Sequence, residues 1–129
     1  MDKVIHKELS YKIYGLLFES HKTLGRYRNE KQYGDYLESL FTNNNIKYLR
    51  EYKFQDSQYG KGKIRCICDF IVDDKVILEL KAKGHIAKEG YYQTRRYLTT
   101  LNLELAIIAN FRQPRLVPKR ILNGQLFKP

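Results

Sequence analysis

The segment Leu105–Phe111 (LAIIANF) is nearly all apolar, and it constrains the fold more tightly than any other part of the sequence. A strand of this kind is expected to be buried on both faces, inside a sheet that is covered on each side. Cover is available elsewhere in the chain. From about His6 to Lys22 the apolar residues Leu9, Ile13, Leu16 and Leu17 recur at helical spacing, and Gly25 is placed to cap the end. A second helix is expected from about Asn29 to Thr42. Asn29 is its N-cap, Tyr33, Tyr36, Leu37, Leu40 and Phe41 form its apolar stripe, and Asn43-Asn44-Asn45 breaks it.

An extended segment follows, roughly Lys47 to Gln55. A glycine turn at Gly60-Lys61-Gly62 leads into a strand from Ile64 to Val72, Asp73-Asp74 makes a tight turn, and Val76 to Lys81 forms the next strand. Lys88 to Leu101 reads as a helix. The basic tail from Arg112 carries Pro114 and Pro118, so it is expected to be extended or irregular. The order helix, helix, three strands, helix, strand implies an α/β (mixed α+β) fold, a central mixed sheet flanked by helices. No repeat or Pro/Gly/Ser linker divides the 129 residues, so a single domain over residues 1–129 is expected.

Two strands carry charge where burial normally excludes it. On Val76–Lys81, side-chain alternation sets Ile77, Glu79 and Lys81 on one face and Val76, Leu78 and Leu80 on the other. On Ile64–Val72 it sets Arg65, Ile67, Asp69 and Ile71 opposite Ile64, Cys66, Cys68, Phe70 and Val72. A hairpin through Asp73-Asp74 brings Asp69 beside Glu79, and two adjacent carboxylates repel unless a cation lies between them. Lys81 follows Glu79 by about 7 Å of strand. Two carboxylates with phosphate oxygens suit a hard ion such as Mg²⁺ or Mn²⁺, and a nearby lysine can stabilise charge on a reacting phosphate. A self-satisfying Asp69–Glu79–Lys81 ion network fits the same spacing, and spacing alone leaves both open.

Charge narrows the partners. Lys plus Arg number 24 against 14 Asp plus Glu, a formal charge of +10 that favours a polyanion, nucleic acid first. A membrane surface fits less well, because no long helix is both basic and strongly amphipathic. With no apolar run of 18 residues and no signal-peptide core in MDKVIHKELS, a soluble, cytoplasmic chain is expected. Cys66 and Cys68 lie in an apolar stretch and read as reduced core thiols. His6 and His21 lack partners at ligand spacing, and His85, close after Lys83, is within reach of a phosphate but reads first as a solvated loop histidine. Arg95, Arg96, Arg112, Arg115, Lys119 and Arg120, with Lys83 close after the second charged strand, are candidates to grip a nucleic-acid backbone or to form a solvated basic surface.

The segment from Asp69 to Glu79-Leu80-Lys81 resembles the Asp…Glu-x-Lys signature of the PD-(D/E)xK nuclease superfamily. The wider series HKTLG, YRNEKQY (Tyr27 to Tyr33), CDFIV, VILELKA, QTRRYL (Gln93 to Leu98) and NF…RLVPKR is similar to the GxxExxY family within it, over roughly residues 5 to 122. Tyr27 stands where that family's naming glycine would be, while Glu30 and Tyr33 are retained.

The resemblance implies a restriction-endonuclease-like core and a divalent-metal-dependent nuclease that hydrolyses DNA phosphodiesters. It further implies that Asp69, Glu79 and the Leu80 carbonyl hold Mg²⁺ or Mn²⁺, with Glu30 adding a ligand. Lys81 would serve the water or the transition state, and Gln93 with Tyr97 would support the site as a QxxxY pair on one helical face. A non-catalytic nucleic-acid-binding module and an accessory subunit of a repair or defence assembly are the rival readings. A homo-oligomer or partner protein stays open.

Overall fold

The computed structural model describes residues 4–56 and 64–126. The glycine turn expected at Gly60-Lys61-Gly62 lies outside the described residues. Helix α1 (Lys7–Leu24) stops at Gly25, whose φ of 78° is costly for other residues and whose N–H bonds to the His21 carbonyl. Helix α2 (Glu30–Asn43) opens with a capping box. The Asn29 side chain accepts from the Gln32 N–H, and the Gln32 side chain accepts from the Asn29 N–H. That box sets where the first helical residue, Glu30, sits.

Five strands form one mixed sheet in the order β1 (Tyr48–Asp56), β2 (Ile64–Val72), β3 (Val76–Lys81), β4 (Leu105–Asn110), β5 (Lys119–Leu122). The β2–β3 turn puts Asp73 and Asp74 at φ 52° and 56°, and Lys75 N–H closes it on the Val72 carbonyl. Positive φ at both central residues is what a tight hairpin of right-twisted strands requires. Strands β3 and β4 run parallel, from Val76 opposite Leu105 to Lys81 opposite Asn110, and the crossover between them contains α3 (Lys88–Leu101).

All six residues of β4 are buried, as its composition demands. Leu105, Ile107 and Ala109 join Ile13, Leu17, Tyr33, Leu37 and Phe41 in a core under α1 and α2. Ala106 and Ile108 join Leu98, Ile77 and Ile121 under α3. Leu105 to Ala109 are all apolar because each parity of these residues faces a different layer of helix. No helix among the described residues is long and apolar enough to cross a membrane.

Two expectations need correction. The expected order ends on the Leu105–Phe111 strand, but within the extended tail Lys119–Leu122 adds a fifth strand, β5, antiparallel to β4. The exposed edge of β4 carries N–H and C=O groups that need partners, and the chain meets them once past Pro118, with Ile121 buried in the α3-side core. Arg120 anchors the strand to α1, donating to Ser10 Oγ at 2.7 Å and to the Ile5 carbonyl at 2.9 Å.

The second correction concerns β2. Simple alternation sets Cys66 and Cys68 with Phe70 and Val72, opposite Ile71. Phe70 and Val72 do lie in the α1/α2 core, but Cys66 and Cys68 pack with Ile71 under α3. The β1–β2 pairing is interrupted where Glu51 stands opposite Asp69, and Glu51 is left-handed at φ 52°. This break bends both strands, so their far halves curl with Tyr52 and Phe54 onto α3. The Phe54 and Tyr97 rings meet edge-to-face at 5.0 Å.

Candidate active site

Asp69 occupies the point where alternation breaks. Strands β2 and β3 pair from Val72 opposite Val76 to Phe70 opposite Leu78, and the pairing ends there. Just beyond it, Leu80 N–H donates to Asp69 Oδ2 at 2.7 Å. A side-chain carboxylate thus takes the place of a sheet partner, and this holds Asp69 against the β3 backbone beside Glu79. A left-handed non-glycine residue costs about 1–2 kcal/mol, and Glu51 carries that strain across from Asp69.

Glu79 is only 6% exposed, and its Oε1 has no hydrogen-bond partner. Burial, then the Asp69 charge and a hydrogen bond with Asp69, push its carboxyl up to about 9, while Lys81 pulls it down. The net shift is upward because burial and Asp69 outweigh the attraction of the half-buried Lys81. Lys81 and Asn110 end the parallel pair, and Phe111 N–H donates to the Lys81 carbonyl at 2.9 Å. A self-satisfying ion network would leave both carboxylates matched. Here one buried oxygen is orphaned, and the orphaned group is pushed toward its protonated form.

The remaining predicted site residues divide by face. Tyr97 is buried, and burial first, then the charges of Cys66 and Glu79, push its hydroxyl up to about 12. Cys68, a free thiol, is likewise pushed up to about 12 by burial and by the charges of Glu79 and Asp69. Glu79 therefore faces the α3-side core. Gln93 is half-buried on α3, one turn before Tyr97.

Glu30 is exposed and opens on the other side. With Asp69 and Leu80 it lines a cavity of about 190 Å³, completed by Lys31, Gly34, Arg50, Glu51 and Phe70. Glu79 is not part of that lining. Among the described residues, no three His, Cys, Asp or Glu side chains are gathered into a ready-made metal cluster. Lys83 and Arg95 are exposed and Arg96 is half-buried. The Lys83 backbone is held by Asn110, whose side chain accepts from its N–H at 3.1 Å and donates to its carbonyl at 2.8 Å.

Sequence reasoning missed Arg50, Gly34 and Asn110. Arg50 lies along the cavity wall, paired with Asp35 at 2.7 Å and Glu38 at 3.1 Å. Its guanidinium lies close over Gly34, where a Cβ would stand 2.6 Å from Nη2 and oblige the side chain to shift. A glycine inside a helix costs about 1 kcal/mol against alanine, so Gly34 was itself the signal of a close approach. Asn110 had the weaker signal of a lone amide inside an apolar strand.

The sequence pattern of the PD-(D/E)XK nuclease superfamily matches residues 7–121. The chain belongs to that superfamily. The mixed sheet with helices on both faces is the restriction-endonuclease-like arrangement of its members. A solved structure described as the crystal structure of SSO0001 superposes with a TM-score of 0.54 at 24% identity, over 69% of this chain and 47% of that one. That likeness is one of fold, and this chain spans about half the length of that structure. No curated protein matches the chain.

Proposed function

We propose that this chain is a divalent-metal-dependent nuclease that hydrolyses DNA phosphodiester bonds and is of the GxxExxY kind within its superfamily. One observation carries the reading. Glu79 is buried against Asp69 with an oxygen that nothing in the protein satisfies, and its carboxyl is pushed up to about 9. Buried polar atoms are nearly always paired, and a buried charge left unpaired is costly. A hard cation answers both the orphaned oxygen and the mutual repulsion, so these residues fit one.

Asp69, which meets Glu79 on one side and the cavity of Glu30 on the other, would hold Mg²⁺ or Mn²⁺ together with Glu79 and the Leu80 carbonyl, with Glu30 contributing from the cavity rim through water. The bound ion would supply Lewis acidity toward the phosphate and toward an attacking water. Everything else is done by the chain. The Leu80 N–H orients Asp69. Tyr97 and the surrounding apolar side chains exclude water from the back of Glu79. Lys81, on the same strand face as Glu79, would hold the attacking water or the charge that develops on the phosphate oxygens. Lys83, Arg95 and Arg96 would meet the strand's phosphates.

The test is a gel assay on linear, circular and single-stranded DNA, with Mn²⁺, with Mg²⁺ and with chelator. Cleavage by the parent that needs metal and vanishes in Glu79→Gln and Lys81→Met is the expected result. If the parent leaves every substrate intact with both metals, the catalytic reading falls and the non-catalytic binding module takes its place.

A further inference from the structure

Arg26, Tyr27 and Arg28 lie between α1 and α2, and Arg112 follows β4 two residues after Asn110. The two segments are locked together reciprocally. Arg26 Nε donates to the Arg112 carbonyl at 2.8 Å, Arg112 Nε donates to the Arg26 carbonyl at 2.7 Å, and Arg112 Nη2 reaches the Arg28 carbonyl at 3.3 Å. Both guanidinium groups lie against the ring of Tyr27, 5.0 and 5.6 Å from its centre. The ring is nevertheless 74% exposed.

The backbone bonds explain why the arginines are there to hold the loop. They do not explain an aromatic ring left open to solvent beside two cations, nor the charge. None of Arg26, Arg28 and Arg112 has an acidic partner among the described residues, whereas Arg50 is paired twice. The cluster also sits beside the candidate active site. Tyr27 is three residues from Glu30, and Arg112 follows the Asn110 that ends the pair with Lys81.

We propose that Tyr27, flanked by Arg26 and Arg112, is a stacking platform for an unpaired nucleotide of the substrate strand. This rests on the nuclease reading above and adds to it a substrate class, DNA with a single-stranded end or segment. An exposed ring pre-set by two guanidiniums offers a π-face to a base, and the uncompensated arginines attract the adjoining phosphates. The base must be unpaired, because inside a duplex its faces are covered by its neighbours. The anchored Nε atoms keep the cations in place before binding, so little ordering remains to oppose association.

The test is direct binding in chelator, where no cleavage can intervene. Short fluorescent single-stranded DNA and a blunt duplex of the same sequence are titrated with the parent, Tyr27→Ala and Tyr27→Phe. Loss of one stacked base should weaken single-strand binding by Tyr27→Ala roughly 5- to 100-fold. Tyr27→Phe should bind like the parent, and duplex affinity should be the same for all three. If Tyr27→Ala melts below the parent, Tyr27→Leu, which keeps apolar bulk without a π-face, takes its place. The platform is overturned if the parent ignores the single strand or if removing the ring leaves single-strand affinity unchanged. It is equally overturned if single-strand and duplex binding fall together, or if Tyr27→Phe loses as much as Tyr27→Ala. Failure of the nuclease reading is a separate result, absent cleavage with metal, and leaves this measurement intact.

Discussion

Glu79 concentrates the tension in this molecule. It is a carboxyl that folding buries, sets against Asp69 and leaves short of one hydrogen bond. The ordinary value for a glutamate is 4.5 and here it is about 9, so between those limits the folded metal-free chain holds a proton that the unfolded chain has released. Unfolding then releases a proton, and stability falls as pH rises through that window, by up to about 1.4 kcal/mol per pH unit. Glu79→Gln removes that dependence while keeping the shape. Chemical denaturation in chelator at pH 5.5 and pH 8 (both roughly inside the window) should show the parent losing stability at the higher pH. The variant should change little and equal or exceed the parent at pH 8. A balanced ion network with Lys81 forecasts the opposite, a loss of about 3–5 kcal/mol at both pH values, because one buried charge would be stranded. That outcome would end the metal-site account.

At the scale of elements, the site is assembled from the start of α2, the interrupted middle of β2 and the end of β3, and each has a local cause. The α2 terminus depends on the Asn29–Gln32 capping box. Asn29→Ala removes the acceptor for the Gln32 N–H and should cost about 1 kcal/mol, within a range of 0.5–2. Because Glu30 is the next residue, fraying there should loosen the cavity it shares with Asp69. Thermal melts measure the first effect. Amide exchange of residues 30–33 measures the second, and unchanged protection there would separate the cap from the site. Asp69 depends on the opposite device, a break in the β1–β2 pairing where Glu51 is left-handed.

Across the whole molecule, the +10 charge is the property with the longest reach. Binding that neutralises phosphates releases counterions, so affinity for DNA should fall steeply with salt, by tenfold or more between about 50 and 200 mM. Fluorescence anisotropy across that range gives the slope. A flat profile would mean that the basic surface is not a phosphate track. Changing Arg26 or Arg112 to alanine should reduce the slope by about one, while Tyr27→Ala should lower single-strand affinity at constant slope. These responses distinguish charge from stacking on the same surface.

The sequence by itself determined the layers and most of the elements. The apolar run of β4, the helical stripes of α1 and α2, the Asn29 cap, the Gly25 stop and the Asp73-Asp74 turn are all local signals, and each acts through its own few residues. Asp69, Glu79 and Lys81 were legible for the same reason, as charges standing in apolar strands. Only the tertiary structure decided the rest. β5 exists because β4 offers an open edge, a fact about a neighbour more than ten residues away and not about KRIL itself. Cys66 and Cys68 changed face because Glu51, on another strand, interrupts the pairing opposite Asp69. Arg50 lies along the cavity wall, close over Gly34 of helix α2. The orphaned oxygen of Glu79 likewise arises from how three strands and α3 close around it. Periodicity records which face a residue prefers, but a residue's partners, and the charge it then carries, are set by whatever the fold brings opposite it.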